Sequence, residues 1–277
     1  MFRLILILFF TLSTAQADTL RILSWNVFML PKPLKNSLQS LRSKEISSRL
    51  SEGHHDIYLF QEAFTGKFRS RVKKALNKTH PHSYYLKRRS FFSLFGSGLF
   101  VISRYPFEVL DYVYFSTCNG MDCFASKGAL LIRVEHPSGK RIQLMTTHLQ
   151  SKREAALTRR DQLETLRPLL DHHLNPSEGQ VLLGDLNIDV KEVDFNWGLD
   201  LLGMKSLELI GPIQKTSSLV NPCFETGTNP KWVDHVWFRN LPPQSELSLQ
   251  VRPLVFERKD EVCPLSDHQA VETEIEI

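Results

Sequence analysis

Polar residues that suit phosphate chemistry stand at the ends of apolar runs in the sequence. Asn26 and Glu62 each follow such a run, and His148 and Asp185 do the same further along the chain. The motif SDH at 266–268 precedes the last apolar segment. Rigid strands hold the loops at their ends, so a sheet scaffold builds a site there. Cleavage of a phosphodiester needs charge neutralisation, an aligned water molecule and a proton acceptor, and residues of these types supply all three.

Each of these residues has a simpler explanation when it is taken alone. An Asn or Asp after a strand usually forms a turn, and a single histidine is more often structural than catalytic. Several such signals in one order along the chain are hard to obtain by chance. The joint pattern therefore favours a site over a set of unrelated turns.

The segments that must position these residues read as alternating strands and helices. Strands are predicted at 20–27, 57–60, 98–103, 109–115, 129–134, 142–147, 181–183, 232–238 and 247–256. Helical spacing of apolar residues predicts helices over 34–50, 68–76 and 154–170. This pattern predicts an α/β or α+β fold with two packed sheets covered by helices. No linker or internal repeat divides the chain, so we expect one domain.

The order of the polar motifs resembles the endonuclease/exonuclease/phosphatase superfamily, which has the DNase I-like fold. The matches are SWN at 24–26, QE at 61–62, THLQ at 147–150, GDLN at 184–187, Asp234, and SDH at 266–268. GDLN and SDH together are fairly specific, whereas either alone is weak. The resemblance covers nearly all of the chain after residue 17. It implies a four-layer α/β sandwich that cleaves phosphate esters with a divalent metal.

The resemblance also implies a metal site made of oxygen ligands. By this reading Glu62 and Asn26 hold the ion, and Asp267 supports either the ion or His148. Carboxylate and amide oxygens are ligands that Mg²⁺ accepts, and two protein ligands leave positions for water and phosphate. We expect Mg²⁺ as the cofactor, with Mn²⁺ and Co²⁺ as alternatives.

The remaining roles concern the proton and the phosphate, and they follow from the same resemblance. His268 is expected to be the general base, with Asp234 orienting its ring. Histidine suits this role because its unperturbed pKa of about 6.5 lies near working pH. His148 is expected to hydrogen-bond the phosphoryl oxygen, and Asp185 and Asn187 to hold the water and a phosphate oxygen.

The segment at 121–130 resembles an element of the neutral and bacterial sphingomyelinases within this superfamily. Asp122 lies five residues before Lys127, as in that element, where the pair gates or positions the site. The alternative is a solvated ion pair at a turn, which contributes little. The resemblance implies Mg²⁺-dependent hydrolysis of sphingomyelin to ceramide and phosphocholine. Recognition of choline calls for aromatic side chains, and the candidates are Trp25, Phe28, Trp197 and Trp232.

A second segment suggests contact with a membrane surface. Phe91, Phe92 and Phe95 follow the basic run at 87–89 and precede two glycines. Aromatic residues beside basic ones suit docking at a bilayer interface, although the same residues could pack beneath the sheet. The haemolytic bacterial enzymes carry a long aromatic β-hairpin before the terminal SDH motif. Here 254–265 offers only Phe256, which argues against lysis of cells.

Composition and the amino-terminal segment set the broad class of the protein. The chain has 277 residues, 42% apolar and 23% charged, with a net charge of +4. These values exclude a disordered, collagen-like or polytopic membrane protein. Residues 1–17 read as a secretory signal peptide, with a basic start, an apolar stretch and a small-x-small cleavage pattern. We therefore expect residues 18–277 to form one catalytic domain, monomeric and secreted or periplasmic.

The four cysteines suggest two disulfides in an exported protein. Cys118, Cys123, Cys223 and Cys263 allow three pairings. We favour Cys118–Cys123, which closes a tight loop, together with Cys223–Cys263. The alternative, a reduced set of metal ligands, lacks the usual spacing of a zinc site.

Two other functions compete with the sphingomyelinase reading. A DNase I-like nuclease or a phosphoinositide phosphatase of the same fold would use basic residues on two predicted helices. Those residues are Lys73, Lys74 and Lys78 on one and Lys152, Arg153, Arg159 and Arg160 on the other. A solvated helix face explains these charges better, and we do not expect nucleic acid as a partner. A non-catalytic membrane-binding module would lack part of the site, but every motif is present.

Overall fold

The computed structural model describes residues 18–32, 34–35, 37–90, 93–217, 223 and 229–277, and the structural statements below concern these residues. The predicted signal peptide at 1–17 lies outside the described residues, as do Phe91 and Phe92.

Fourteen strands and four α-helices make up the described chain. The strands are β1 (Thr19–Asn26), β2 (Ile57–Gln61), β3 (His82–Tyr85), β4 (Phe100–Ser103), β5 (Phe107–Tyr114), β6 (Gly128–Glu135), β7 (Arg141–His148), β8 (Gly179–Asp185), β9 (Lys205–Ser206), β10 (Asp234–Arg239), β11 (Leu247–Arg252), β12 (Val255–Arg258), β13 (Glu261–Pro264) and β14 (Ala270–Glu276). The helices are α1 (Gln39–Ser51), α2 (Gly66–Leu76), α3 (Ala156–His172) and α4 (Val193–Leu202). Short 3₁₀ turns lie at Gly120–Phe124 and Arg153–Ala155.

Two six-stranded mixed sheets form the centre of the fold. The first has the order β11-β14-β1-β2-β4-β3, and the second has the order β5-β6-β7-β8-β10-β9. Strands β12 and β13 form a separate two-stranded hairpin. Among the described residues, no helix has the length and apolar character needed to cross a bilayer.

Three apolar clusters show that the layers are helices, sheet, sheet and helices. Leu20 and Ile22 of β1 join Leu144 and Leu183 of the second sheet in the cluster between the sheets. On the outer face of the first sheet, β1 packs with α1 and α2. On the outer face of the second sheet, β8 and β10 pack with α3 and α4. The inner and outer clusters take alternate residues of a strand, because successive side chains point to opposite faces. The predicted four-layer sandwich is confirmed.

The elements differ from the predicted ones at several places. The sequence pattern misses β3, whose residues are polar and aromatic, and α4, which contains Gly198. Gly198 is needed because a Cβ there would lie 2.8 Å from the ring of Trp237. The predicted strand at 247–256 is two strands, β11 and β12, with Pro253 between them. Helix α1 starts later than predicted because Leu38 before it has a left-handed backbone, with φ of 56°.

Both disulfides favoured from the sequence are present in the structure. Cys118 and Cys123 have Cα atoms 5.2 Å apart; Cys118 precedes the 3₁₀ turn at Gly120–Phe124 and Cys123 lies within it. Cys223 is bonded to Cys263 of β13, with Cα atoms 5.8 Å apart. These separations are typical of disulfide-bonded pairs.

Gly184 of β8 offers a test of how tightly the two parallel central strands pack. Its φ of 149° and the carbonyl oxygen of Thr147, which would lie 2.2 Å from an added Cβ, both exclude a side chain. We expect Gly184→Ala to lower the free energy of unfolding by roughly 3 kcal/mol, through strain and overlap together. Urea unfolding followed by circular dichroism measures this loss.

The matched control for that variant is Gly139→Ala. Gly139 also has a positive φ, of 84°, but nothing lies within 4 Å of an added Cβ. Only the backbone penalty applies there, so the loss should be clearly smaller. Equal losses in the two variants would contradict the claim of close strand packing.

Candidate active site

Strand pairing brings the predicted site residues to one edge of the two sheets. Strands β1 and β2 are parallel, with Asn26 opposite Gln61, so Glu62 comes directly after the same edge. Strands β7 and β8 are also parallel, with His148 opposite Asp185. Strand β10 runs antiparallel to β8 and begins there, because Asp234 lies opposite Asp185. The carboxyl ends of four strands and the start of a fifth element therefore converge.

The side-chain amide of Asn26 joins the two sheets. Its Nδ2 donates to Oε1 of Glu62 at 3.2 Å and to Oδ2 of Asp185 at 3.0 Å. Its Oδ1 accepts the backbone N–H of Phe28 at 3.1 Å, which fixes the orientation of the amide. Glu62 belongs to the first sheet and Asp185 to the second, so one amide donates across the interface between them.

His268 is held by a carboxylate and a backbone contact. Its Nδ1 lies 2.8 Å from Oδ2 of Asp234, and Nε2 of the ring lies 3.7 Å from Oδ2 of Asp185. Trp25 donates from Nε1 to the backbone oxygen of His268 at 3.0 Å. Burial lowers the pKa of His268, but the carboxylates of Asp234 and Asp185 outweigh it and raise that pKa well above the ordinary value.

His148 has the opposite electrostatic environment. Burial and the ammonium of Lys127 lower the pKa of His148 to about 4, so the ring is neutral at physiological pH. Its Nε2 lies 3.2 Å from Nζ of Lys127 and 3.4 Å from Oδ2 of Asp185. The two histidines therefore differ in charge although both lie close to Asp185, which suits one to proton transfer and the other to hydrogen bonding.

Lys127 and Asp122 form a buried ion pair beside His148. Nζ of Lys127 lies 2.7 Å from Oδ2 of Asp122 and donates to the backbone oxygen of Leu149 at 2.7 Å. Oδ2 of Asp122 also accepts the backbone N–H of Ser151 at 2.7 Å. Burial raises the pKa of Asp122, but Lys127 and His148 reverse this and hold it below the usual value. The pair is part of the site wall, not a solvated pair at a turn.

Asn187 lies beside this group in a strained backbone conformation. Its φ is 52°, in the left-handed region, and its backbone N–H donates to Oδ1 of Asp185 at 2.9 Å. Its Nδ2 donates to the backbone oxygen of Leu149 at 3.2 Å. Strain of this kind persists where the surrounding contacts over-determine the backbone, and it is common at functional sites.

Glu62 has the features of an oxygen ligand for a divalent cation. Its Oε2 is buried and has no hydrogen-bond partner among the described residues, although Oε1 accepts from Asn26. Burial and the charge of Asp267 raise the pKa of Glu62 to about 7, and burial also raises the pKa of Asp267. Two neighbouring acids, one with an orphaned oxygen, fit a missing positive charge. The residues present therefore fit the implied metal.

Another trio, Asp185, Asp234 and His268, offers ligand atoms that lie within 4.8 Å of one another in the described chain. The shortest contact in this trio is the hydrogen bond between His268 and Asp234. That bond occupies Oδ2 of Asp234 and Nδ1 of His268, whereas Oε2 of Glu62 has no hydrogen-bond partner among the described residues. The chain contains groups able to hold a divalent cation in either arrangement.

Sequence reasoning misses Arg42, the buried cation behind the acidic cluster. This side chain of α1 is fully buried and donates to the backbone oxygens of Val27 and Leu265 at 2.9 and 2.8 Å. It also donates to the backbone oxygens of Phe28 and Ser37. Burial lowers the pKa of Arg42 to about 10, whereas the charges of Asp267 and Glu62 raise it. A single Arg on a polar helix face gives no sequence signal of such a role.

A cavity of about 610 Å³ opens above this cluster. Its polar lining is Lys35, Glu62, Asp122, Lys127, His148, Ser151 and Asp267. Its apolar lining is Phe28, Leu30, Leu34, Phe64, Phe95, Met121 and Ala125. The cavity thus combines a charged region suited to phosphate with an apolar region suited to hydrocarbon or a quaternary ammonium.

Three of the four aromatic residues proposed for choline lie elsewhere. Trp25 is buried and bonded to the backbone of His268, Trp197 of α4 lies 5.1 Å from the guanidinium of Arg160, and Trp232 packs near His235. Phe28 does line the cavity, where Phe64 and Phe95 accompany it. A tryptophan that is close to a site motif in the sequence does not predict a choline-binding residue here, because its ring can pack into the core.

The basic residues proposed for a nuclease are partly structural. Arg159 is fully buried and donates to the backbone oxygen of Lys152 at 2.5 Å. Arg160 forms an ion pair with Asp194 at 2.6 Å. These two arginines therefore hold α3 against its neighbours instead of offering a surface for a phosphate backbone.

Comparison with known proteins identifies one family and several related enzymes. The sequence profile of the Endonuclease/Exonuclease/phosphatase family matches residues 23–268. Sphingomyelinase C 2 of Leptospira interrogans is 28% identical over 195 residues, which are 62% of this chain and 31% of the relative. Sphingomyelinase C of Bacillus cereus is 26% identical over 199 residues, covering 64% of this chain and 59% of the relative. The aligned region thus spans less than two thirds of each curated relative.

One solved structure shows the same fold. A variant of the beta toxin of Staphylococcus aureus, with bound magnesium ions, has a TM-score of 0.77 and 20% sequence identity. The match covers 92% of this chain and 98% of that one.

Glu62→Gln tests whether the orphaned oxygen is a metal ligand. The wild-type melting temperature should rise on addition of Mg²⁺, because an ion that binds only the folded state stabilises it. Glu62→Gln should lose most of that rise. Without metal at neutral pH it should melt at or above the wild-type temperature, because an unfavourable buried charge has been removed. Differential scanning fluorimetry with and without EDTA measures both shifts.

Glu108→Gln provides the control for that experiment. Glu108 is an exposed acid on β5 paired with Arg133, away from the cavity. Its Mg²⁺-dependent rise should equal that of the wild type. A full rise in Glu62→Gln would overturn the ligand assignment.

Proposed function

The chain belongs to the endonuclease/exonuclease/phosphatase family, and from that premise we propose that it hydrolyses the phosphodiester of sphingomyelin, yielding ceramide and phosphocholine. The related enzymes that carry the name sphingomyelinase C support this substrate, and so does the Asp122–Lys127 pair. We propose residues 18–277 as the catalytic domain.

The observation that carries the proposal is the two-part lining of the cavity. Glu62, Asp267 and Lys127 give the lining charged groups, His148 adds a polar ring, and six of the seven apolar lining residues are large side chains. A phosphodiester attached to a lipid has the same division between an anion and a hydrophobic body. If the substrate were a nucleic acid or a soluble inositol phosphate, the apolar lining residues would have no hydrophobic group to contact.

In this proposal His268 and Asp234 manage the proton. His268 accepts a proton from the attacking water as the water oxygen bonds to phosphorus, and the carboxylate of Asp234 holds the ring through Nδ1 and stabilises its charged form. The bond between phosphorus and the ceramide oxygen breaks, that oxygen takes up a proton to give ceramide, and His268 releases its proton to solvent. Asp185 and Asn187 position the water and a phosphate oxygen. Nε2 of His268 lies 3.7 Å from Oδ2 of Asp185, so one water molecule can contact both side chains.

In this proposal the phosphoryl oxygens contact two side chains of the cavity lining, His148 and Lys127. Neutral His148 hydrogen-bonds one oxygen as charge develops, and Lys127 supplies a fixed positive charge next to it. Asp122 keeps Lys127 in place. This arrangement stabilises the transition state without moving a side chain, because the ion pair and its backbone contacts are already formed.

Glu62, Asn26 and Asp267 would hold Mg²⁺ or a similar divalent ion. When bound, such an ion supplies positive charge to the phosphate and offsets the acidic cluster that raises the pKa of His268. The oxygen donors favour a hard cation such as Mg²⁺, and the similar beta toxin structure contains bound magnesium ions.

We also propose that the protein works outside the cytoplasm, as a monomer at a membrane surface. The two disulfides support this location because oxidising compartments preserve them. A substrate that resides in a bilayer requires at least transient contact with the bilayer surface.

The direct test is release of phosphocholine from sphingomyelin vesicles. We expect turnover with Mg²⁺, no turnover in EDTA, and little cleavage of plasmid DNA or phosphoinositide by the same protein. His268→Ala should lower kcat by about 10²-fold or more, since a positioned general base contributes that much. Parallel assays of the wild type and His268→Ala, each with Mg²⁺ and with EDTA, measure both effects.

His173→Ala is the control in that assay. His173 lies at the carboxyl end of α3 and contacts Asp111, outside the cavity. It should leave kcat unchanged. Plasmid nicking without phosphocholine release would replace the proposed function with a nuclease, and unchanged kcat in His268→Ala would refute the assignment of the base.

A further inference from the structure

Exposed apolar side chains gather around the mouth of the cavity. Leu94, Met121 and Phe124 are 62%, 59% and 43% exposed, and Leu34 on another loop is 41% exposed. Leu34 and Met121 also belong to the cavity lining. Isolated exposed apolar residues are ordinary, but a group of them beside a binding cavity indicates an interaction surface.

The backbone places Leu94 and Phe124 side by side. A parallel bridge pairs Phe95 with Ala125, and the backbone N–H of Phe95 donates to the oxygen of Phe124 at 3.0 Å. Leu94 and Phe124 directly precede the two bridged residues, and both side chains are exposed. Phe95 and Ala125 line the cavity. The strip made of residues 94–95 and 124–125 therefore presents Phe95 and Ala125 to the cavity and Leu94 and Phe124 to the outside.

Several contacts hold this strip in place. The Cys118–Cys123 disulfide closes the turn that carries Met121 and Phe124. Oγ of Ser126 accepts the backbone N–H of Arg89 at 3.0 Å, which ties the preceding basic segment to the strip. A surface that is already ordered loses little conformational entropy when it docks.

Basic residues surround the mouth with few acids among them. The described residues of the four segments that border the cavity carry seven Lys or Arg residues and two acidic ones; these residues are 27–32, 34–35, 37–38, 86–90, 93–97, 115–126 and 149–154. One of the acids is Asp122, which is paired with Lys127. Apolar side chains within a basic surround suit a phospholipid interface, where acyl chains lie beneath phosphate groups.

The hairpin of β12 and β13 has a different character. Its segment 254–265 carries three acidic and two basic residues, and its one aromatic residue, Phe256, is buried in the core cluster with α1 and α2. This hairpin therefore offers neither an exposed aromatic ring nor an excess of positive charge. The mouth of the cavity offers both apolar exposure and positive charge.

We propose that Leu34, Leu94, Met121 and Phe124 form a docking rim that inserts into the interface of a phospholipid bilayer. The flanking Lys and Arg side chains then lie at the level of the head groups, and the cavity opens toward the membrane. The inference rests on the proposed function, because a lipid substrate is what the cavity must reach. Docking through the rim delivers a phosphodiester to the charged lining without removing the lipid from the bilayer.

The test compares two double variants with matched exposure. Leu94→Ser/Phe124→Ser removes two rim side chains, and Leu174→Ser/Ile210→Ser removes two that are 48% and 57% exposed outside the cavity lining. Flotation with vesicles of sphingomyelin, phosphatidylcholine and phosphatidylserine, in EDTA to prevent turnover, measures binding. The rim variant should bind on the order of tenfold more weakly. The control should stay within about twofold of the wild type.

Two further readouts separate docking from catalysis and from folding. A short-chain sphingomyelin that dissolves as monomers should be cleaved equally by the rim variant and the wild type, whereas bilayer sphingomyelin should be cleaved more slowly by the rim variant. Equal melting temperatures show that both double variants fold. Phe124→Trp adds an independent signal, because bromine-labelled lipids should quench its fluorescence more than they quench the wild-type tryptophans.

The outcomes distinguish the rim from the proposed function. The rim is overturned if the wild type fails to float, if the rim variant floats as well as the wild type, or if the control loses binding equally. If the rim variant alone loses flotation while the wild type cleaves neither form of sphingomyelin, the rim stands and the proposed function falls.

Discussion

The shared amide of Asn26 is the interaction on which the rest of the site depends. Its two N–H groups reach Glu62 of one sheet and Asp185 of the other, at 3.2 and 3.0 Å. Acidic residues gathered at one buried edge repel one another and lose hydration, so each must be compensated. Arg42 behind the cluster, Lys127 beside it and the charged form of His268 provide part of this compensation. Oε2 of Glu62 and Oδ1 of Asp234 are buried carboxylate oxygens without a hydrogen-bond partner among the described residues, and we propose that a divalent cation binds at Glu62.

The same compensation explains why the pKa values of the two histidines shift in opposite directions. Both lie near Asp185, but His268 also contacts Asp234, whereas His148 contacts Lys127. A neighbouring carboxylate favours the charged ring, and a neighbouring ammonium favours the neutral one. The carboxylate of Asp185 can therefore lie beside a proton acceptor, His268, and a hydrogen-bond donor, His148, at the same time. In the proposed function, the apolar residues above the cluster direct this chemistry toward a lipid instead of a soluble phosphate.

Residue order along the sequence predicts the layers of the fold and the residues that meet at the site, because parallel strands carry their terminal residues to one edge. Asn26, Glu62, His148 and Asp185 converge for this reason, and His268 joins them because it precedes β14, which runs antiparallel to β1. The sequence does not predict Arg42, whose partners are mainly backbone oxygens of loops, or the fate of Trp25, whose ring packs into the core. It also misses the apolar rim, because Leu94 and Phe124 become neighbours only through a bridge between distant segments. Contacts of this kind depend on loop conformation, for which residue type gives little information.

The location of the cation tests this account most directly. A crystal of the protein soaked in Mn²⁺, measured at the manganese absorption edge, shows the ion by its anomalous scattering. The account predicts a peak within about 2.5 Å of Oε2 of Glu62, with the hydrogen bond between His268 and Asp234 intact. A sole peak bonded to His268, Asp185 and Asp234 would contradict it, because His268 would then be a ligand and no longer free to accept a proton.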